Sequence, residues 1–284
     1  MTLKLLNMEP PFVIAIDRTE WQLGKAWVNV LMLSVSYKNI SLPLFWTVLE
    51  EKGCSDNAER RDITQQFIDE FGARSISFVT ADREFASKQW LGYLVERKIS
   101  FRLRIKANTL ITDKRGRRIH ASKMLQTMKI GERAEFQRKR KLWKQSVFVA
   151  VCRKADGDQV IVVSSERSGQ ILLEYTRRWE IETLFRCLKT RGFRLEDTHL
   201  TCGERISGLL SLLTLATVWA IRAGEIVARQ TPPKVKKHGR AEKSIFRLGL
   251  ETLRNCFCQM TTDFRQKQRF PLRKLEITIS VPPK

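Results

Sequence analysis

Apolar residues fall along the chain in two patterns: short β-branched runs, and longer stretches with helical spacing. Phe12–Asp17 (FVIAID) is a continuous apolar run that ends in a carboxylate, which predicts a buried strand. Ala26–Ser36 and Ile40–Leu49, separated by the turn-forming Tyr37-Lys38-Asn39, predict two more, giving a meander with Asp17 on its first strand. A helix is expected over Asp56–Phe71, where Ile63, Phe67, Ile68 and Phe71 recur at helical spacing and Gly72 supplies the stop. Ser75–Thr80 then reads as a strand running straight into Ala81-Asp82-Arg83-Glu84. A helix over Ala86–Glu96 and a strand over Ser100–Ile105 follow.

The order β-β-β-α-β-α-β is the layout of an RNase H-like core, an α/β fold whose mixed sheet is flanked by helices. Residues 1–105 are its first part. Residues 106–158 break the alternation with turn signals at Asp113–Gly116 and Lys129–Gly131, a short helix at Ala121–Met128, and β-rich pieces at Ala134–Gln137 and Ser146–Val151. They are expected to be a β-rich insertion. The core resumes over residues 159–229 with a strand at Gln159–Ser164, a long helix from Gly169 to Arg191 stopped by Gly192, and a second helix over Gly203–Arg229. Residues 230–284 begin with the breaker Thr231-Pro232-Pro233 and a basic linker, then carry a helix over Ser244–Phe257.

Charge narrows the partner. The 284 residues hold 52 Lys plus Arg against 30 Asp plus Glu, a net +22, with 43% hydrophobic residues. So much apolar material excludes a disordered basic tail and puts the excess charge on a folded surface. A polyphosphate is its natural partner, an anionic membrane the weaker competitor. The uncharged run Ile206–Ile221 is too short and too rich in Ser and Thr for a membrane span and reads as a buried core helix; no membrane partner is expected. The six cysteines (Cys54, Cys152, Cys187, Cys202, Cys256, Cys258) and three histidines (His120, His199, His238) have no zinc spacing. The N-terminus lacks signal-peptide anatomy, so reduced cysteines and a cytoplasmic location are expected.

The sharpest local feature is Tyr175, Arg178, Glu182 and Lys189. At about 100° per residue they fall on one narrow helical stripe, beside the apolar Ile181, Leu184, Phe185 and Leu188, while Glu180 points away. Taken alone, the stripe also fits an amphipathic helix edged with i, i+4 salt bridges. Asp17 and Asp82 shift the balance, because adjacent strands of the proposed sheet bring them together. Asp17, Asp82 and Glu182 make an all-oxygen set of the kind Mg²⁺ prefers. Two such ions about 3.5–4 Å apart can activate a water or 3′-hydroxyl and stabilise the leaving oxygen of a phosphodiester. Basic runs at Lys114–Arg118, Arg138–Lys144 and Lys234–Lys243 favour DNA. In the second run Arg138, Lys139 and Arg140 suit phosphate contact, and Trp143 suits stacking on an unpaired base.

The spacing Tyr175-x2-Arg178-x3-Glu182-x6-Lys189 resembles the signature of DDE transposases, specifically the large bacterial insertion-sequence group of cut-and-paste elements. IAID ending at Asp17 and TADREF around Asp82 resemble that family's first and second catalytic Asp. The resemblance implies a catalytic domain that uses Mg²⁺, with Mn²⁺ as a substitute, to nick transposon ends and join the 3′-hydroxyl to target DNA. It implies that Asp17, Asp82 and Glu182 hold the metal, that Tyr175, Arg178 and Lys189 contact phosphates near the transposon end, and that the protein is a dimer on double-stranded DNA, nucleoid-associated, without a small-molecule cofactor. It departs from the family at the front, where sixteen residues precede Asp17 in place of a helical DNA-binding domain. The rival readings are an RNase H-like structure-specific nuclease without strand transfer and a DNA-binding remnant without catalysis.

Overall fold

The strand that carries Asp17 is longer than its apolar run. In the computed structural model, which describes residues 2–49, 55–237, 239 and 241–266, with side chains to residue 259, β1 spans Phe12–Leu23. Its first half is covered on both faces, whereas beyond Asp17 buried Thr19 and Trp21 alternate with exposed Glu20 and Gln22. That polar alternation marks a strand with one wet face, a weaker sequence signal than a solid apolar run. Cys54 and His238 lie outside the described residues.

β2 (Ala26–Tyr37) and β3 (Ile40–Leu49) complete the meander. The turn between β1 and β2 is Gly24-Lys25, with Gly24 at φ 59°, a left-handed conformation that glycine adopts without a Cβ clash. A short N-terminal helix, α1 (Thr2–Leu5), precedes them. Next come α2 (Asn57–Phe71), β4 (Ile76–Ala81), α3 (Lys88–Glu96) and β5 (Phe101–Arg104), as expected for the core. A capping box fixes the start of α2: Asp56 accepts from the Glu59 N–H and Glu59 from the Asp56 N–H, both at 2.8 Å. Ser87 caps α3 by accepting from the Trp90 N–H.

The segment read as an insertion is divided. β6 (Leu110–Thr112) and β7 (Arg118–His120) form a small separate hairpin, and a 3-10 turn at Ala121–Leu125 stands where a short helix was expected. β8 (Arg133–Glu135), β9 (Arg140–Leu142) and β10 (Gln145–Arg153) instead extend the main sheet through β11 (Gln159–Ser164). The reason is the apolar run of β10: Val147, Val149, Ala150 and Val151 are fully buried and need a sheet to cover them. The nine-stranded sheet runs β3-β2-β1-β4-β5-β11-β10-β8, with β9 paired to β10. β1, β4 and β5 are parallel neighbours, and the remaining pairs are antiparallel. Pro43 sits on β3 at the sheet's edge, where a missing N–H is tolerated.

One helical stretch on this sheet departs from the expected uninterrupted helix. It runs as α4 (Ile171–Tyr175), a 3-10 turn (Thr176–Arg178), α5 (Trp179–Arg186) and a π turn (Cys187–Arg191), and it ends before Gly192 as expected. It leads through a 3-10 turn (Leu195–Thr198) to α6 (Gly203–Gln230). α6 is the one described helix long and apolar enough to cross a membrane; on it Ile206, Leu210, Val218 and Ile221 are buried, while Leu212, Trp219 and Ile226 are exposed.

The chain divides into two compact units, Met1–Leu215 and Ala216–Lys284. The boundary falls inside α6, upstream of the breaker Thr231–Pro233. Within the second unit, α7 (Ile245–Gln266) meets the C-terminal half of α6 backbone to backbone. A Cβ on Gly249 would lie 1.7 Å from the Ala220 carbonyl oxygen, and one on Gly224 2.0 Å from that of Ile245.

In the first unit, α2 is anchored by an aromatic cluster. Phe67 packs edge-on to Phe12 at 6.4 Å and Phe45 at 6.3 Å between centroids, and Phe71 lies 4.8 Å from Phe67. Phe67 is fully buried. Phe67→Ala removes the ring shared by these contacts and is expected to destabilise the protein by about 3–5 kcal/mol. A denaturant titration that showed less than about 1 kcal/mol would contradict that role.

Candidate metal and DNA site

Strand register sets the two aspartates side by side. β1 and β4 run parallel with Ile16 opposite Ala81, so Asp17 and Asp82 each follow the last paired residue. Glu182, on α5, completes the group, and all three line one cavity of about 520 Å³ together with Arg178 and Lys189. The 3-10 and π turns do not break up the predicted stripe: Tyr175, Arg178, Glu182 and Lys189 all reach this edge of the sheet.

Arg178 connects the group. Its two terminal nitrogens donate to Asp17 Oδ2 at 3.3 Å and to Glu182 Oε1 at 2.7 Å. The Tyr175 hydroxyl donates to Asp82 Oδ1 at 3.2 Å, and Arg104 from β5 approaches the same oxygen at 3.7 Å. Lys189 Nζ donates to the Glu20 carbonyl at 2.8 Å and pairs with Glu196 at 2.7 Å. Among the described residues no three His, Cys, Asp or Glu side chains converge closely enough to hold a metal as they stand, since Arg178 bridges Asp17 and Glu182. The donor chemistry nevertheless fits a hard divalent cation, being carboxylate oxygen throughout.

Burial dominates the electrostatics. Asp17 is 8% exposed, and burial pushes its pKa up to about 7; Asp82 and Glu182 add to the rise, while the Arg18 N–H at 2.8 Å and Arg178 oppose it. Burial likewise raises the Tyr175 hydroxyl well above the ordinary tyrosine range, so it is a donor at any working pH. For Arg178 burial works against the charge, but Tyr175 and the carboxylates of Asp82, Asp17 and Glu182 outweigh it and hold the guanidinium protonated.

Two charged side chains outside the predicted set are buried. Glu180, off the stripe, is 6% exposed and paired with Arg177 at 2.9 Å. Burial raises its pKa, against the pull of Arg177 and of the polar groups near the β2–β3 turn, where Glu180 and Asn39 line one cavity. Arg60 on α2 donates to the Phe85 carbonyl at 3.1 Å and lies over the Phe85 ring, and the Phe85 N–H donates to the Asp82 carbonyl at 3.0 Å. The turn after Asp82 is thereby fixed from a helix 22 residues earlier in sequence. Arg104 was legible in principle: in SFRLRI, Arg102 and Arg104 alternate on a strand otherwise apolar, which points both to one face. Arg102 turns out to be buried against Glu174 and Glu166, and Arg104 spans Asp82 and Asp158.

The basic run is elsewhere. Arg138 and Lys139 are exposed between β8 and β9, Arg140 is half-buried on β9, and Trp143 is half-buried at the tip of the β9–β10 hairpin; none lines the carboxylate cavity. Lys139 lies over the Phe148 ring and Arg140 over Phe136.

The buried Asp17 makes stability pH-dependent. Its folded pKa of about 7 lies above the 3.8 of an unperturbed aspartate, so between those values the native protein keeps a proton the unfolded chain has lost. Stability therefore falls as pH rises through that window, by at most about 4 kcal/mol. In chelator, denaturant unfolding from pH 4 to pH 8 should show this fall, and Asp17→Asn should flatten it; an equally steep fall in Asp17→Asn would show that another group is responsible.

No curated protein matches the sequence. Among solved structures, the chain is similar to a piggyBac transposase synaptic complex with hairpin DNA (TM-score 0.46, 13% identity, 96% of this chain and 56% of that one). It is also similar to the HTLV-2 integrase catalytic core in complex with magnesium (TM-score 0.27, 12% identity, 34% of this chain and 62% of that one). The NurA nuclease from Sulfolobus solfataricus gives a TM-score of 0.32 at 11% identity, over 74% of this chain and 88% of that one. The chain thus spans little more than half the length of the piggyBac protein. The transposase DDE domain matches residues 10–219, about three quarters of the sequence and all of the residues that meet at the cavity. With a sheet of the RNase H-like order, Asp17 within β1 and Asp82 just past β4, the chain belongs to the transposase DDE domain family.

Proposed function

We propose that this protein is the catalytic part of a DNA transposase, cleaving phosphodiesters at transposon ends and transferring the 3′-hydroxyl into target DNA. The observation that carries the reading is the register of β1 on β4, which puts Asp17 beside Asp82 where Glu182 can meet them, in a chain matching the DDE domain. Asp17, Asp82 and Glu182 would hold Mg²⁺, or Mn²⁺ in its place. When bound, that metal supplies activation of the attacking oxygen and stabilisation of the leaving one.

The chain's own residues supply the rest. Arg178 and Lys189 bring positive charge to an anionic substrate beside three carboxylates that would repel it. Tyr175, held protonated, offers a hydroxyl that can donate to a phosphate oxygen once Asp82 turns to other partners. Arg138, Lys139, Arg140 and Trp143 would contact DNA beyond the cleavage site, with double-stranded DNA as substrate and a dimer as the working assembly. A cytoplasmic protein bound to the nucleoid is consistent with that partner.

With Mg²⁺ or Mn²⁺ the wild-type protein should nick a transposon-end duplex, and a labelled 3′-hydroxyl end should appear joined to a target plasmid. Asp82→Ala and Glu182→Ala should reduce nicking to background while DNA binding persists in a mobility-shift assay. Undiminished nicking in either variant would refute the site. Nicking without joining would leave a nuclease in place of a transposase, and binding without nicking in the wild type would leave a DNA-binding remnant.

A further inference from the structure

A second groove lies apart from the carboxylate cavity and shares no residue with it. It measures about 650 Å³ and is lined by α3, by Arg61 of α2 and by the tip of the β9–β10 hairpin. Three cations meet there: Arg61, Lys88 and Lys144, all exposed. Among the described residues none of the three has an ion-pair partner. Of the cations lining the carboxylate cavity, Arg18, Arg178 and Lys189 are in ion pairs, and Arg186 donates to the Thr183 hydroxyl and the Glu182 carbonyl. Glu96 is the sole carboxylate among the groove's lining residues.

Packing holds Arg61, and a tight turn fixes the backbone that carries Lys144. The Arg61 guanidinium lies over the Tyr93 ring at 5.2 Å from its centroid, while Arg97 lies at 5.5 Å from the same ring. Tyr93 is itself fixed by donating its hydroxyl to Gln65 at 2.9 Å. Lys144 is positioned by an unusual turn. Leu142 pairs directly with Gln145, so Trp143 and Lys144 form a two-residue hairpin loop, with φ of 47° and 72°. Such a loop favours Asn-Gly, and a bulky residue at positive φ costs of order 1–3 kcal/mol. Keeping Trp and Lys there puts an indole and an ammonium on the groove in place of a relaxed turn.

Three cations in no ion pair among the described residues, grouped beside an aromatic ring, suit an extended anion. Lys88 and Glu96 are eight residues apart on α3, a run of roughly 12 Å. At about 3.4 Å of duplex axis per phosphate of one strand, that matches the axial rise of three or four base pairs. We infer that this groove is a second DNA-contact site, taking the phosphodiester backbone at a distance from the scissile phosphate, with Arg61, Lys88 and Lys144 as its phosphate contacts. The inference rests on the DNA-processing role proposed above, but concerns residues outside the carboxylate cavity.

The test is the salt dependence of duplex binding by the full chain, read by fluorescence anisotropy. In Lys88→Ala/Lys144→Asn, where Asn tolerates the positive φ, the slope of log K against log salt should shrink by about 2, one per lost phosphate contact. A charge-matched control, Lys4→Ala/Lys123→Ala, should leave the slope within experimental error. An unchanged slope in the groove variant, or an equal change in the control, would overturn the inference while wild-type nicking still upheld the proposed activity. If heparin binding fell in the groove variant while duplex binding did not, the groove would serve another polyanion and the inference would also fail. A wild-type protein that bound no DNA would refute both readings together.

Discussion

The guanidinium of Arg178 lies between two carboxylates, Asp17 and Glu182, at the edge of a buried sheet, and the geometry of the site depends on it. Without a cation there, burial and the neighbouring carboxylates would push Asp17 further toward its neutral, protonated form. Burial lifts its pKa to about 7 despite Arg178, with Asp82 and Glu182 as smaller contributions. A buried carboxylate with two others beside it and one bridging guanidinium is stabilised by further positive charge. That is the physical reason for reading the cavity as a metal site, and it explains why Arg178 and the metal would have to share the same oxygens.

The scaffold keeps these groups at their stations from several directions. Glu180, one residue before Ile181 on the apolar face, is buried with α5 near the β2–β3 turn, so Glu182 sits on a helix packed on a hairpin far earlier in the chain. Arg60 holds Asp82 by gripping the turn that follows it. Both are charged side chains in buried settings, where removing one partner leaves the other unpaired. The cost of Arg60 is tolerable because it stabilises a segment that the sheet alone leaves free.

Positive charge is divided by function across the first unit. Near the carboxylates, cations are committed to protein partners: Arg104 to Asp82 and Asp158, Arg178 to Asp17 and Glu182, Lys189 to Glu196. Around α3 and the β9–β10 hairpin, Arg61, Lys88 and Lys144 are not. Arg186 at the cavity is intermediate, hydrogen-bonded to the Thr183 hydroxyl and the Glu182 carbonyl but in no ion pair among the described residues.

Much of this was legible in order and spacing. Apolar runs located β1 to β5, the Asp56–Glu59 capping box located α2, and the Tyr-Arg-Glu-Lys spacing located the helix that meets the two aspartates, because each of these signals is local. The continuation of β1 past Asp17 was not visible, since a strand with one wet face looks like a polar loop. Nor was the membership of β8 and β10 in the main sheet, which depends on pairing with β11 rather than on any residue pattern of their own. The roles of Glu180, Arg60 and Arg104 escaped for the same reason: a charged residue's sequence neighbours do not tell which distant carbonyl or carboxylate it will face. The sequence by itself determined the elements and the identity of the chemical groups, because periodicity and residue type are properties of the chain. Only the tertiary structure decided which cations are spent on internal ion pairs and which remain open, because that depends on side chains brought together from strands and helices up to 161 residues apart.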